Sequence, residues 1–143
     1  MVYVTRRMTF SASHRLYNPA WSDGRNEEVF DKCANQRGHG HNYELEVTVA
    51  GEPEGSTGYV IDLKKLKGIL NEKIISRVDH KHLNDDVDFL KGVIPTAENI
   101  ARAFWKILEP EIKEGKLYAL RLRETENNVV EYRGEETHGT STR

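Results

Sequence analysis

Two long stretches alternate apolar and polar residues, and together they constrain the fold more than any other feature of the chain. Val2, Val4, Met8, Phe10 and Ala12 share one parity, and His14 falls on it at the end of the run. His39, His41, Tyr43, Leu45, Val47 and Val49 share a parity opposed by Asn42, Glu44, Glu46 and Thr48. Residues two apart in an extended chain project from one face, so each stretch predicts a strand with one side to be buried. Each apolar face also carries histidine at one end.

The remaining pattern says what covers that face. Asp62 is a helix N-cap ahead of LKKLKGILNEKIISRV, where Leu63, Leu66, Leu70, Ile74 and Val78 recur at helical spacing. Pro95-Thr96 opens a second helix with Ala97, Ile100, Ala101, Phe104 and Leu108 as its stripe. LYALRLRE (117–124) and VVEYRG (129–134) then form a hairpin around a turn at 125–128. The order β-β-α-α-β-β predicts an α+β fold, a four-stranded antiparallel sheet with two helices on one face. Residues 17–38, rich in Asn, Asp, Gly and Pro, read as a long connection, and connections of that length are usually functional or disordered. Two sheet edges stay open, which invites association.

With 143 residues the chain is expected to be a single domain, 1–143, ending in a polar tail from about 135. A net charge of -2 excludes a generally basic surface for nucleic acid. No apolar run approaches the roughly 20 residues of a membrane span. Arginines inside the first apolar run do not suit a signal peptide, and the single cysteine offers no disulfide framework, so a cytoplasmic setting is expected.

His39 and His41 can hold one metal side by side, and His14 brings a third imidazole if the two strands pair. Three imidazoles with an open position are the pattern of catalytic zinc; two hydrogen-bonded core histidines are the simpler alternative for His-x-His alone. Cys33, in the polar stretch KCANQRG, needs a cationic neighbour or base to become a useful thiolate. Asp79 and His80, with His82 beyond, could supply one. On the residues alone, however, VDHKHLN reads more simply as an exposed helix terminus where the macrodipole favours histidine. Glu124 follows Leu120 and Leu122 on the inward parity, and a buried carboxylate requires a partner. Glu98 lies in a first helical turn, where an acid is favourable anyway.

Taken together, TFSASHRL, CANQRGHGHNY, GYVIDLKKLK, VDHKHLN, PTAENIA and RETENNVVEYRGE resemble the 6-pyruvoyl-tetrahydropterin synthase family, in order and spacing, over nearly the whole chain. The resemblance implies a T-fold whose sheets join into a barrel in a trimer, two trimers making a hexamer with active sites between subunits. It implies His14, His39 and His41 as zinc ligands and Cys33 as catalytic proton acceptor. Asp79 and His80 would assist the thiol, Glu124 would be catalytic and contact the pterin, and Glu98 with Thr96 would anchor the pterin. The implied reaction turns 7,8-dihydroneopterin triphosphate into 6-pyruvoyl-tetrahydropterin, a lyase step toward tetrahydrobiopterin, with Mg2+ a candidate companion of the triphosphate. A related branch makes 6-carboxytetrahydropterin for modified tRNA bases; three residues typically separate its Cys from His-Gly-His, and here five do. A zinc-containing T-fold protein that binds without turnover is the reading from another class, and the thiol argues against it.

Overall fold

The computed structural model describes residues 1–135. Strands β1 (Val2–His14) and β2 (His39–Gly51) pair antiparallel along their whole length, with Met8 opposite Leu45 and His14 opposite His39. The hairpin β4 (Lys116–Arg123) and β5 (Val129–Tyr132) extends the sheet from β2. A bulge between Thr48 and Val49 shifts the register there, leaving Tyr118 unpaired with β2 while Leu117, Leu120 and Leu122 are all buried. This is the expected four-stranded antiparallel sheet. A fifth strand, β3 (Lys81–His82), joins it parallel to β1, so the order is β3-β1-β2-β4-β5. Two residues are too few for a periodic signal, and β3 was not expected.

The long connection is also more ordered than its composition implies. It contains helix α1 (Asp23–Phe30), capped by the Ser22 hydroxyl accepting from Arg25 N–H, and a 3-10 turn at Asp31–Ala34 that carries Cys33. The one buried residue of α1 is Asn26. Its amide accepts from Asn18 N–H at 2.7 Å and donates to the carbonyls of Asn18 and Ser22, each at 3.0 Å, so a side-chain knot replaces an apolar stripe.

The first expected helix is three pieces: α2 (Leu63–Leu70), a π-turn at Asn71–Ile75 and α3 (Ser76–Val78). Asp62 caps α2 by accepting from Lys64 N–H, as the sequence indicates. Leu66, Leu70, Ile74 and Val78 are fully buried, whereas Leu63 is exposed. A stripe repeating every four residues drifts by roughly 40° per step on an α-helix of 3.6 residues per turn, and one wider π-turn returns it to the sheet. Helix α4 (Ala97–Leu108) is capped by Thr96 and buries Ile100, Phe104 and Leu108. Phe10 stacks on Tyr43 with ring centroids 4.8 Å apart and meets Phe104 edge-on, joining sheet and helices in one core.

The uncovered sheet face is polar. Arg7 and Arg123 flank Glu44, Arg121 pairs with Glu131, and the Thr5 and Thr48 hydroxyls share a hydrogen bond. Beyond residue 135 the expected polar tail lies outside the described residues.

Candidate metal and catalytic site

The pairing of β1 with β2 sets His14 directly across from His39, while His41 faces the small Ala12. Their ligand nitrogens lie within 4.8 Å of one another, with His14 and His39 Nε2 3.1 Å apart. His14 is fully buried, and its Nδ1–H donates to the Pro95 carbonyl at 2.8 Å. A carbonyl can only accept, so the proton is on Nδ1 and Nε2 presents a lone pair to its neighbours. Burial, opposed in part by the Pro95 bond and reinforced by the other imidazoles, pushes His14 down to about 4. His41 is lowered as well, chiefly by burial. Both rings are therefore neutral at pH 7, the form that binds metals. His41 Nε2 is buried and has no hydrogen-bond partner. An unpartnered ring nitrogen beside the His14 lone pair, with His39 Nε2 3.1 Å from His14 Nε2, is what a divalent cation would satisfy, and the donor set fits one.

Glu124 comes one residue past the Arg123–Glu44 pair, at the same end of the sheet. Its carboxylate stands 3.7 Å from His14 Nε2 and 4.0 Å from His41 Nε2. Cys33 reaches this end because the 3-10 turn is tied back to the segment after β1. Leu16 N–H donates to the Cys33 carbonyl at 2.8 Å, and Arg15 Nε–H donates to the Ala34 carbonyl at 2.9 Å. The Cys33 thiol is pushed up by burial, then by the charges of Glu124 and Asp31. Within one chain it is an unactivated thiol.

The residues expected to assist it are elsewhere. Asp79 accepts from Ser11 N–H at 2.9 Å and lies 3.0 Å from His80 Nδ1. The Ser11 N–H bond is the main reason the Asp79 carboxyl sits below its ordinary value. His80 has φ of 61° and an 81% exposed side chain. The Asp79–His80 pair thus exists, but among the described residues no hydrogen bond joins it to Cys33. Glu98 is exposed, and the Thr96 hydroxyl is engaged as the α4 cap. The Pro95-Thr96 segment meets the histidines through the Pro95 carbonyl instead.

Two participants were not read from the sequence. Tyr43, fully buried, places its hydroxyl 3.4 Å from His14 Nδ1, and burial with the Glu124 charge raises its pKa. Asn84 accepts from Arg15 N–H and donates to Arg15 O, each at 2.8 Å, fixing the residue after His14. Tyr43 was legible only as a core position, and Asn84 ends VDHKHLN, which read as an exposed helix terminus.

The family model of 6-pyruvoyl tetrahydropterin synthase matches residues 3–135. The chain belongs to this family. The human 6-pyruvoyl tetrahydrobiopterin synthase is 46% identical over 132 residues, 92% of this chain and 91% of the relative. The Dictyostelium discoideum protein of the same name is 45% identical over 94% of this chain and 97% of its own. A 6-carboxy-5,6,7,8-tetrahydropterin synthase from Aquifex aeolicus is 28% identical. The solved Caenorhabditis elegans 6-pyruvoyl tetrahydropterin synthase superposes with a TM-score of 0.89 at 38% identity, covering 94% of this chain and 96% of that one. The sheet and helices described above are the T-fold of this family.

Proposed function

We propose that the chain converts 7,8-dihydroneopterin triphosphate to 6-pyruvoyl-tetrahydropterin with loss of triphosphate, as a lyase of tetrahydrobiopterin synthesis. The observation that carries this reading is the convergence at one sheet end of three imidazoles, the Glu124 carboxylate and the strand-tethered Cys33 turn. Whole-length similarity to synthases of that name supports it.

His14, His39 and His41 would hold the metal, which we take to be zinc from the all-imidazole donor set. Bound there, it supplies Lewis acidity to oxygens of the hydroxylated substrate side chain. Cys33 is the proposed acceptor of the side-chain protons and returns them during internal redox, so no outside oxidant is needed. An ionised Glu124 offers only acceptor lone pairs, which suits the amino and ring N–H groups of a pterin. Glu98 and Thr96 are proposed as further pterin anchors. A raised thiol needs positive charge beside it to ionise. The exposed Asp79–His80 pair meets that need if another copy of the chain presents it to Cys33, which is the reason to propose an interface site. The open β3 and β5 edges would then pair between copies, in a trimer whose sheets close a barrel and in a hexamer of two trimers. Among the described residues no helix is long and apolar enough to cross a membrane, and a working free thiol suits a reducing cytoplasm.

The test is incubation of the reduced, metal-loaded protein with 7,8-dihydroneopterin triphosphate, with and without a strong chelator, followed by identification of the pterin product. Chelator-sensitive 6-pyruvoyl-tetrahydropterin is expected, together with loss of turnover but not of metal in Cys33→Ser. Mainly 6-carboxytetrahydropterin would transfer the chain to the related branch. Metal binding without turnover would leave a binding protein.

A further inference from the structure

We propose that Arg15 is the anion anchor of this chain and grips a polyphosphate, the triphosphate tail of the substrate under the reading above, on which the identity of the ligand rests. Arg15 follows His14 directly, and its backbone is clamped on both sides by Asn84. Its guanidinium carbon sits over the Tyr17 ring, 3.8 Å from the centroid, and its Nε–H is spent on the Ala34 carbonyl. The cation–π contact and that one bond hold the group in place. The two terminal nitrogens have no carboxylate or carbonyl partner among the described residues and form the edge that binds two phosphate oxygens at once. A guanidinium held in place this way loses little freedom on capturing an anion.

Two cavities, of about 290 and 620 Å³, meet at this side chain and share Arg15, Tyr17 and Gln36. Charge decides between them. The larger is lined by Asp23, Glu27 and Asp31 against Lys32, and would repel a polyphosphate. The smaller adds His82 and Asn84, and its one carboxylate, Asp85, lies 3.5 Å from His82 Nδ1. The smaller cavity is therefore the phosphate pocket, and the acidic one bounds it. The Arg15 bond to Ala34 sets this pocket next to the Cys33 turn, and Arg15 directly follows the candidate metal ligand His14.

The experiment is calorimetric titration of the metal-loaded protein with inorganic triphosphate and separately with unphosphorylated neopterin, metal content being measured afterwards. Arg15→Gln is expected to weaken triphosphate binding at least tenfold, and Arg15→Lys by a smaller factor because the charge stays and the planar fork goes. Gln36 is exposed, so Gln36→Glu should fold normally and weaken triphosphate severalfold by adding a negative charge to the pocket. Neopterin affinity and metal content should hold in all three. Wild-type triphosphate affinity in Arg15→Gln overturns the proposal, as does no triphosphate binding by the wild type. Joint loss of metal, neopterin and triphosphate in Arg15→Gln, with Gln36→Glu neutral, also overturns it, because Arg15 would then act only by holding His14. Triphosphate binding through Arg15 without formation of any pterin product supports the anchor while removing the proposed reaction.

Discussion

His14 donates its Nδ1–H to the carbonyl oxygen of Pro95 at 2.8 Å, so the residue just before the α4 cap fixes the tautomer of a histidine on β1. Without metal the buried ring stays neutral down to about pH 4, whereas an unfolded histidine takes its proton near 6.5. Between those values the unfolded chain binds more protons than the folded one, so stability falls as pH falls. The metal-stripped protein is expected to lose stability from about pH 6.5 downward, by at most about 3 kcal/mol by pH 4 from this ring. His41 adds to the loss in the same direction. Denaturant midpoints of chelated protein at pH 7 and 5 check this, and equal midpoints would refute a neutral buried His14.

Glu124 holds the Cys33 thiol up by its charge, second only to burial. Glu124→Gln removes that charge and keeps the shape. Its thiol pKa should drop, and iodoacetamide should alkylate Cys33 faster at pH 7.5 than in the wild type, while pterin turnover falls. The pH dependence of alkylation is the measurement. An unchanged thiol pKa would mean that burial alone sets it.

Much of the sheet was legible because β1 and β2 alternate over long stretches, with Arg6 the break in the apolar parity of β1, and the same parity put histidine at one end of each strand. What escaped was held by polar contacts instead of apolar ones. DGRNEEVF has no apolar stripe, and α1 forms around the hydrogen bonds of Asn26; the cap signal Ser22-Asp23 was its one readable trace. Leu63 matched the helical spacing but sits in the first turn, and burial starts a turn later at Leu66. The Asp79–His80 pair and Glu98 read as site residues by resemblance. Their roles depend on which surface meets them, and a single sequence with a single chain carries no register for that.

His80 offers a separation of backbone from side chain. Its φ of 61° costs a non-glycine residue about 1 kcal/mol or more, while its N–H still donates to Ser11 O. His80→Gly relieves that strain at an entropic cost of similar size, so stability should stay within about 1 kcal/mol of wild type, with His80→Ala the less stable of the two. Turnover should collapse in both if the imidazole serves Cys33. Full activity in a well-folded His80→Gly would remove the residue from the mechanism.

Asp79→Asn and Asp79→Ala separate charge from architecture in a similar way. Both oxygen acceptors can satisfy Ser11 N–H, but alanine leaves that N–H orphaned, so Asp79→Ala should cost roughly 1–2 kcal/mol and Asp79→Asn less. Loss of turnover in the asparagine variant, at near-normal stability by denaturation, would show that the carboxylate charge beside His80 is what the reaction uses. Retained turnover would confine Asp79 to holding β3 against β1.

Gly38, immediately before His39, ties the metal site to the backbone. It adopts φ of +74°, and a Cβ there would lie 2.6 Å from the His14 carbonyl oxygen and 3.2 Å from His82 Nε2. The nearest obstacle is backbone on the strand that carries one ligand, and the residue that would have to move adjoins another. Gly38→Ala should therefore combine a left-handed penalty with displacement of His39 from His14, at a cost of at least about 2 kcal/mol. Gly24 provides the contrast: it lies in α1 with nothing within 4 Å of an added Cβ, so Gly24→Ala should be neutral or stabilising by up to about 1 kcal/mol. Metal titration decides the functional half. Gly38→Ala should bind zinc more weakly than Gly24→Ala, and equal affinities would mean that the His14–His39 pairing does not depend on this glycine.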